Sequence, residues 1–484
     1  MEISFADETV ESICGQAKRA TKALGAESAK KLQRRIAELF NAENVSELVA
    51  GRPHPLQGAR AGTFALDLHG GQRLLFKSTL QTPPTKKDGG IDWASVTKVM
   101  TTELGITMIS ANVKAPQTYA SLAEFAPDWI ATPGDTVADV LEERGWTQVE
   151  LAKRTGFTAK HINQLLKGDA PITQDTAAKL EKVLGSTVRF WVGLDSQYRE
   201  QLARRDELAN LAREAGWLKE LPLVDMIRFG WIPKVQNKAL QVRECLKFFA
   251  VSDVAAWRAT YSEPVAAYRA SPKLKRVGPS VAAWLREGER KAAELRCADY
   301  DKAKFEQALA EIRSLTKIAE PTKFLPELTR LCAATGVAVV IAPAPEGCPV
   351  SGATKWLAPN KALIMLSVRG KSDDKLWFTF FHEAGHLLKH GKSLTFLDIL
   401  GEAGLHPTEE AEADAFARDF LVSAATFATF AAAGMFSTAR VQQFAKEQGV
   451  SAGIIVGRLQ FEGHISFTNL NGLKVKYTWN HDKP

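Results

Sequence analysis

The stretch LWFTFFHEAGHLLKHG, residues 376–391, contains an HExxH sequence that decides how the C-terminal part of the chain folds. In a helix, positions i and i+4 lie one above the other, so His382 and His386 share a face. Two imidazoles placed in this way can bind one Zn²⁺ at ligand distances of about 2.0–2.1 Å. The flanking residues are phenylalanine and leucine, which predicts a buried helix. Buried imidazoles beside a carboxylate need a compensating partner, and a cation supplies one.

Glu383 is adjacent to the first histidine and can serve as the general base that takes a proton from water. The third ligand has to come from elsewhere. His390 lies about 12 Å along the helix axis from His382, too far to share the ion. The HExxHxxGxxH pattern also fails, because Lys389 and Lys392 stand where glycine and histidine would be needed. A carboxylate from a second helix is the remaining choice.

The segment PTEEAEADAFARDFLV, residues 407–422, predicts that second helix, with acidic residues in its first turn. Glu410 and Asp414 are four residues apart and share a face. We expect Glu410 to complete a His-His-Glu site and Asp414 to orient a ligand histidine. Glu412 is the rival ligand, but it lies about 200° around the helix from Glu410. The alternative is a solvated acidic turn that only complements the helix dipole.

The two motifs together, HEAGHLLKHG and EAEADAFARDFLVSAATF, resemble the ImmA/IrrE metallopeptidases. Val422-Ser423 stands where the family usually has Met-Pro. The resemblance implies a zincin-like α+β metallopeptidase domain over residues 321–484, with His382, His386 and Glu410 as zinc ligands and Glu383 as catalytic base. It implies zinc-dependent endopeptidase activity on a repressor or antitoxin-like protein. Some members of the family act as sensors or regulators, so a non-proteolytic regulator is the alternative.

A second motif, TQVELAKRTGFTAKHINQLLKG, residues 147–168, predicts a helix-turn-helix. Thr147 caps the first helix, Gly156 makes the turn, and Thr158 caps the second helix. Leu151, Ala152, Ile162 and Leu165 would pack the helices together. This arrangement leaves polar side chains facing outward. Asn and Gln can bond adenine, Lys can bond guanine or phosphate, and a residue at the start of the first helix can contact phosphate. The candidate DNA-binding residues are Gln148, Thr158, Lys160, Asn163 and Gln164.

The stretch around this motif resembles Cro/CI-type domains and, more closely, the HigA antitoxins, over residues 133–200. The quoted text PGDTVADVLEERGWTQVELAKRTG and ITQDTAAKLEKVLGSTVRFWVGLDSQYRE carries the resemblance. It implies an all-α DNA-binding domain over residues 130–200 that binds double-stranded operator DNA, usually as a homodimer, and often contacts a toxin.

The N-terminal part, residues 1–115, combines segments of helical sequence pattern with a meander of short predicted strands, which indicates a small α+β domain. RPHPLQGARAGTFALDLHGGQRLLF, residues 52–76, resembles the HigB toxins of the RelE superfamily. The resemblance implies a ribonuclease site in which His54 and Arg73 occupy functional positions. The family ends with an Asp-Tyr-His run, whereas this chain has ELGITMIS, residues 103–110. The alternatives are a degenerate toxin fold kept for docking and an mRNA interferase inhibited in cis.

Composition is consistent with a multidomain α+β protein. The chain has 484 residues, 45% hydrophobic and 24% charged, so wholesale disorder is excluded. Its five cysteines form no CxxC pair, which favours a reducing compartment. We expect a cytoplasmic protein without a signal peptide or membrane partner. Residues 201–320 have a helical sequence pattern but contain no recognisable motif, and we expect a helical linker or spacer there.

Overall fold

A computed structural model describes residues 1–104, 117–267, 278–367, 372–390, 396–399 and 407–477. The described chain divides into two compact units, residues 1–207 and 208–484. Each unit is considered separately below.

The first unit begins with a mixed sheet and its covering helices. The described strands are β1 (Glu2–Phe5), β2 (His54–Pro55), β3 (Thr63–Asp67), β4 (Arg73–Ser78), β5 (Lys98–Leu104) and β6 (Thr118–Tyr119). They lie in the order β2-β3-β4-β5-β1-β6, with β1 parallel to β5. The helices are α1 (Glu8–Gly15), α2 (Ala17–Leu24), α3 (Ala26–Asn41) and α4 (Leu122–Phe125). Strands β3 and β4 form an antiparallel hairpin around Gly70 and Gly71, as part of the expected meander.

Five further helices follow: α5 (Pro133–Arg144), α6 (Gln148–Thr155), α7 (Ala159–Lys167), α8 (Gln174–Leu184) and α9 (Val188–Arg213). The last of these extends past residue 207, where the first unit ends. One hydrophobic cluster runs from Ile3 through Ile36 and Leu39 to Val140 and Leu194. The sheet region and the helical region therefore share one core. The short connecting segment between them is anchored as well, because the indole of Trp129 donates a hydrogen bond to the Cys14 carbonyl over 2.7 Å.

The second unit is built around a sheet whose described strands are β7 (Val337–Ala342), β8 (Val350–Ala358), β9 (Lys361–Ser367) and β10 (Phe396–Ile399). Their order is β10-β8-β9-β7; β7 and β9 are parallel and the other pairs are antiparallel. Its described helices are α10 (Leu223–Arg228), α11 (Lys238–Phe249), α12 (Val254–Ala267), α13 (Gly278–Glu294), α14 (Lys302–Leu315), α15 (Pro321–Ala333), α16 (Asp373–Lys389), α17 (Pro407–Leu421), α18 (Ala424–Ala432), α19 (Thr438–Gln448) and α20 (Ala452–Phe461).

Both faces of this sheet are buried under helices. Along β7, Val337 and Val339 pack into one cluster, which includes Trp377 of α16. Ala338 and Val340 pack into a second cluster, which includes Trp284 of α13. Alternating burial on two faces explains why β7 reads as a continuous apolar run.

Residues 201–320 differ from the linker or spacer that we expected from the sequence. Helix α13 lies directly on the sheet: a Cβ added at Gly288 would come within 2.2 Å of the Met365 sulfur. Helix α14 contributes Phe305 and Leu309 to the cluster on the opposite face. The reason is hydrophobic burial, because a sheet that is apolar on both sides needs a helical layer on each.

Candidate functional site

Helix α16 places the HExxH residues in the interior of the second unit. Its side chains are buried from Thr379 through Leu388. Trp377, Phe380 and Phe381 are fully buried and hold the helix against the sheet. His382 is 4% exposed and His386 is 2% exposed. The apolar flanks predicted from the sequence therefore seat both imidazoles in a site shielded from bulk water.

Glu410 of α17 converges with these two histidines. The Nε2 atoms of His382 and His386 are 3.1 Å apart. The Glu410 Oε2 atom lies 3.1 Å from Nε2 of His382 and 3.6 Å from Nε2 of His386. Within the described residues, these three form the group whose ligand atoms all lie within 4.8 Å of one another. Glu412, the alternative ligand considered from the sequence, does not belong to this group.

The spacing of these ligand atoms suits a metal ion. Ligands at about 2.0–2.1 Å from a tetrahedral ion lie roughly 3.3 Å from one another. The observed separations of 3.1, 3.1 and 3.6 Å bracket that value. Burial alone would raise the pKa of Glu410, but hydrogen bonds from His382 and His386 together lower it to about 2. Burial lowers the pKa of His386. Metal ligation requires an anionic carboxylate and a neutral imidazole, and the pKa shifts of Glu410 and His386 lie in the directions that favour these forms.

Asp414 lies where the sequence spacing places it. Its Oδ1 atom is 3.0 Å from Nδ1 of His382, on the opposite side of the ring from Glu410. His390 is not in the candidate ligand group, as the axial distance predicted. Its ring contacts Glu412, with Nε2 and Oε2 separated by 3.2 Å.

Glu383 is fully buried beneath strand β8. Its Oε2 atom accepts a hydrogen bond of 2.6 Å from the Thr354 hydroxyl. Gly352 leaves room for the carboxylate, because a Cβ at that position would approach Oε1 within 2.5 Å. Sequence reasoning missed both residues. They precede Glu383 by about thirty positions and carry no local pattern, so only the sheet-on-helix packing brings them to Glu383.

The helix-turn-helix forms at the expected residues of the first unit. Thr147 and Thr158 cap α6 and α7 by accepting hydrogen bonds from backbone amides. Gly156 has a φ of +73°, the left-handed conformation that favours glycine. The four expected packing residues are buried: Leu151, Ala152, Ile162 and Leu165.

The five candidate DNA-contacting residues all lie on the surface. Gln148 and Thr158 are exposed at the starts of α6 and α7, and Lys160, Asn163 and Gln164 are exposed along α7. This is the face that a recognition helix presents to the major groove. A nearby residue, Phe157, packs on the His161 ring and beneath the Lys179 ammonium, which braces the turn.

His54 and Arg73 lie on the same sheet face of the first unit, because His54 pairs with Ala65 and Arg73 with Asp67. Arg73 donates to the Asp67 carboxylate over 3.0 Å. His54 Nδ1 lies 2.7 Å from the Arg52 carbonyl oxygen. The two predicted toxin residues therefore contact other neighbours. Most of the ELGITMIS stretch lies outside the described residues.

A buried ionic network joins α3 of the sheet region to α5 of the helical region. The Arg35 guanidinium lies 2.8 Å from Glu38 and 2.6 Å from Asp139, and these three residues are at most 2% exposed. Thr136 donates a further hydrogen bond of 2.8 Å to Glu38. Arg34 extends the network to Asp139 over 2.7 Å. No sequence pattern indicates this network, since its α3 and α5 members are about a hundred residues apart.

These features define the class of protein: a helix-turn-helix regulator joined to an α+β domain with a metallopeptidase-type His-His-Glu cluster. Comparison with known families agrees. Residues 137–191 match the helix-turn-helix family model, and residues 333–460 match the IrrE N-terminal-like domain of the M78 peptidases. The chain therefore contains a Cro/CI-type helix-turn-helix domain fused to an IrrE-like peptidase-family domain.

A curated relative supports the first assignment. The chain is 28% identical over 81 residues to the uncharacterized HTH-type transcriptional regulator YddM of Escherichia coli strain K12. The match covers 17% of this chain and 84% of the relative.

Within the described residues no single helix is long and apolar enough to cross a membrane. Helices α17 and α18, which are bent by 70° relative to each other, reach that length and apolar composition when they are taken together.

Proposed function

We propose that this protein is a DNA-binding transcriptional regulator of toxin–antitoxin type whose second unit is a zinc-dependent endopeptidase acting on a repressor or antitoxin-like protein. The observation that carries the proposal is the convergence of His382, His386 and Glu410, with Glu383 buried beside them. It acts in the cytoplasm, on operator DNA, as a homodimer. The helix-turn-helix domain and its resemblance to operator-binding families support these last points.

The zincin-like site assigns a separate role to each group. His382, His386 and Glu410 would hold the ion, and Asp414 accepts from Nδ1 of His382 and fixes that ring. A zinc ion held there would supply Lewis acidity toward the scissile carbonyl. Glu383 accepts a proton from the attacking water and delivers it to the departing amine. Thr354 holds the Glu383 carboxylate in one orientation through its 2.6 Å hydrogen bond.

The first unit supplies the DNA-binding function. Lys160, Asn163 and Gln164 project from α7 toward the bases, while Gln148 and Thr158 contact phosphate at the helix starts. The N-terminal region serves as a docking module held to the helix-turn-helix. The support is the buried Arg35, Glu38 and Asp139 network, which joins the two regions into one compact unit.

The test is a comparison of the wild type with Glu383→Gln, both as full chains. Metal analysis and mass spectrometry would follow zinc content, self-cleavage and cleavage of an unfolded casein substrate. We expect Glu383→Gln to retain zinc and lose cleavage, because glutamine cannot accept the proton. Asp419→Asn, a change to an exposed acid of α17, is the matched control and should cleave normally.

Two results would contradict the proposal. An unchanged cleavage rate in Glu383→Gln would remove Glu383 as the base. A zinc-loaded wild type that cleaves neither itself nor casein, while Glu383→Gln retains full operator control in cells, would favour the non-proteolytic regulator.

A further inference from the structure

The ring of His386 is held on the side that faces away from Glu410. Its Nδ1 atom lies 3.0 Å from Nδ1 of His390. Nε2 of His390 in turn lies 3.2 Å from the Glu412 carboxylate. The His390 side chain is 6% exposed, whereas that of Glu412 is 54% exposed. The contacts therefore run from the buried cluster through one imidazole to a carboxylate at the surface.

The backbone reinforces this arrangement. Helix α16 ends at Lys389, and His390 follows with an extended conformation, φ −110° and ψ 162°. The His390 amide still donates to the His386 carbonyl over 3.0 Å. His390 is thus attached to His386 twice, once through the backbone and once through the rings.

We propose that His390 and Glu412 are positioning residues that fix the tautomer and orientation of His386 for metal binding. This inference rests on the proposed zinc site. A histidine that coordinates through Nε2 carries its proton on Nδ1 and donates it. His390 then accepts at Nδ1, carries its own proton on Nε2, and donates to Glu412. Each of the two hydrogen bonds in this relay then has a defined donor and a defined acceptor.

The relay parallels the contact on the other ligand. Asp414 reaches Nδ1 of His382 directly, over 3.0 Å. Glu412 is exposed at the helix surface and contacts His390, which in turn contacts His386. Both imidazoles in the cluster are therefore oriented by acids of α17, one directly and one through an intermediate ring.

The test measures the zinc dissociation constant of the full chain by chelator competition. We expect His390→Phe to weaken zinc binding by about 10- to 100-fold, since it keeps a ring but removes the acceptor. His390→Gln retains a carbonyl acceptor and should lose less. Glu412→Ala should weaken zinc binding by about tenfold, the lower end of that range, because it removes only the outer partner. Asp419→Ala, seven residues further along the same exposed face, should bind zinc like the wild type.

A second measurement separates positioning from general structural damage. In the zinc-loaded wild type, imidazole NMR should show His386 protonated on Nδ1 and His390 protonated on Nε2. His390→Phe should lose the slow-exchanging His386 proton, while the metal-free variant unfolds at the wild-type temperature.

Equal zinc affinity in His390→Phe and wild type would overturn the inference and leave the zinc site standing. A wild type that binds no zinc would overturn the site and the inference together. Should His390→Phe fail to fold, Glu412→Ala decides, and wild-type affinity in that variant would overturn the relay.

Discussion

Replacing Glu38 with glutamine should change how the stability of the first unit depends on pH. Glu38 is fully buried, and both Arg35 and Thr136 contact its Oε1 atom. Burial raises the pKa of Glu38 from 4.5 to about 7, against the opposing charge of Arg35. The folded protein therefore binds the proton more tightly than the unfolded chain. The stability that this provides is fully present below pH 4.5 and is lost as the pH rises through about 7.

The size of the effect follows from the two pKa values. Moving from 4.5 to about 7 corresponds to about 3 kcal/mol, at about 1.4 kcal/mol for each tenfold change in proton affinity. The neutral glutamine cannot titrate. Its stability relative to the wild type should therefore rise by about 3 kcal/mol between pH 4.5 and pH 8.

Calorimetric unfolding of the full chain would measure this difference, with hydrogen exchange of α3 and α5 assigning the transition to the first unit. Glu27→Gln is the control, because Glu27 is an exposed acid of the same helix that forms a surface ion pair with Lys30. Its stability relative to the wild type should stay nearly flat. A flat profile for Glu38→Gln as well would show that the buried carboxyl is not the source of the pH dependence.

Three further predictions concern other parts of the chain. Burial raises the pKa of Asp373 to about 6, so the free energy of unfolding of Asp373→Asn relative to the wild type should rise by about 2 kcal/mol between pH 4 and pH 7. Calorimetry would measure this rise, and an unchanged difference would contradict the prediction. Gly134→Ala should destabilise the first unit by about 3 kcal/mol, because the added Cβ would lie 2.2 Å from the Leu166 carbonyl oxygen. Denaturant unfolding would measure this loss, and wild-type stability would mean that α5 and α7 do not pack so closely. Asn163→Ala should weaken operator binding by about 1–3 kcal/mol in fluorescence anisotropy, whereas Lys160→Ala should mainly reduce the salt dependence of the binding constant. If the wild type bound all DNA sequences with equal affinity, base readout would be refuted.

Much of the candidate metal site follows from local sequence. The i, i+4 spacing of His382 and His386 fixes their common face, and the apolar flanks bury it. Helical spacing on α17 also separates Glu410 and Asp414 from Glu412. These are properties of single helices, whose geometry depends on nearby residues. The caps and turn of the helix-turn-helix are local in the same sense.

Other features depend on residues that are distant in the chain. Thr354 reaches Glu383 because β8 crosses α16, and Arg35 meets Asp139 because two helices share one core. The helices within residues 201–320 became a sheet cover because β7 and β9 are apolar on both faces. Periodicity shows that a face is apolar, but it does not show which element will cover it.

By itself, then, the sequence determined the two motifs, the helices that carry them and the residues that each helix turns to one side. The tertiary structure decided that α17 packs on α16 so that Glu410 meets the imidazoles, which hydroxyl holds Glu383, and which charged residues are buried together. The physical reason is that hydrogen bonding and side-chain direction within a helix are set over a few residues. Burial of charge and closure of a site depend on surfaces that meet only when the whole chain packs.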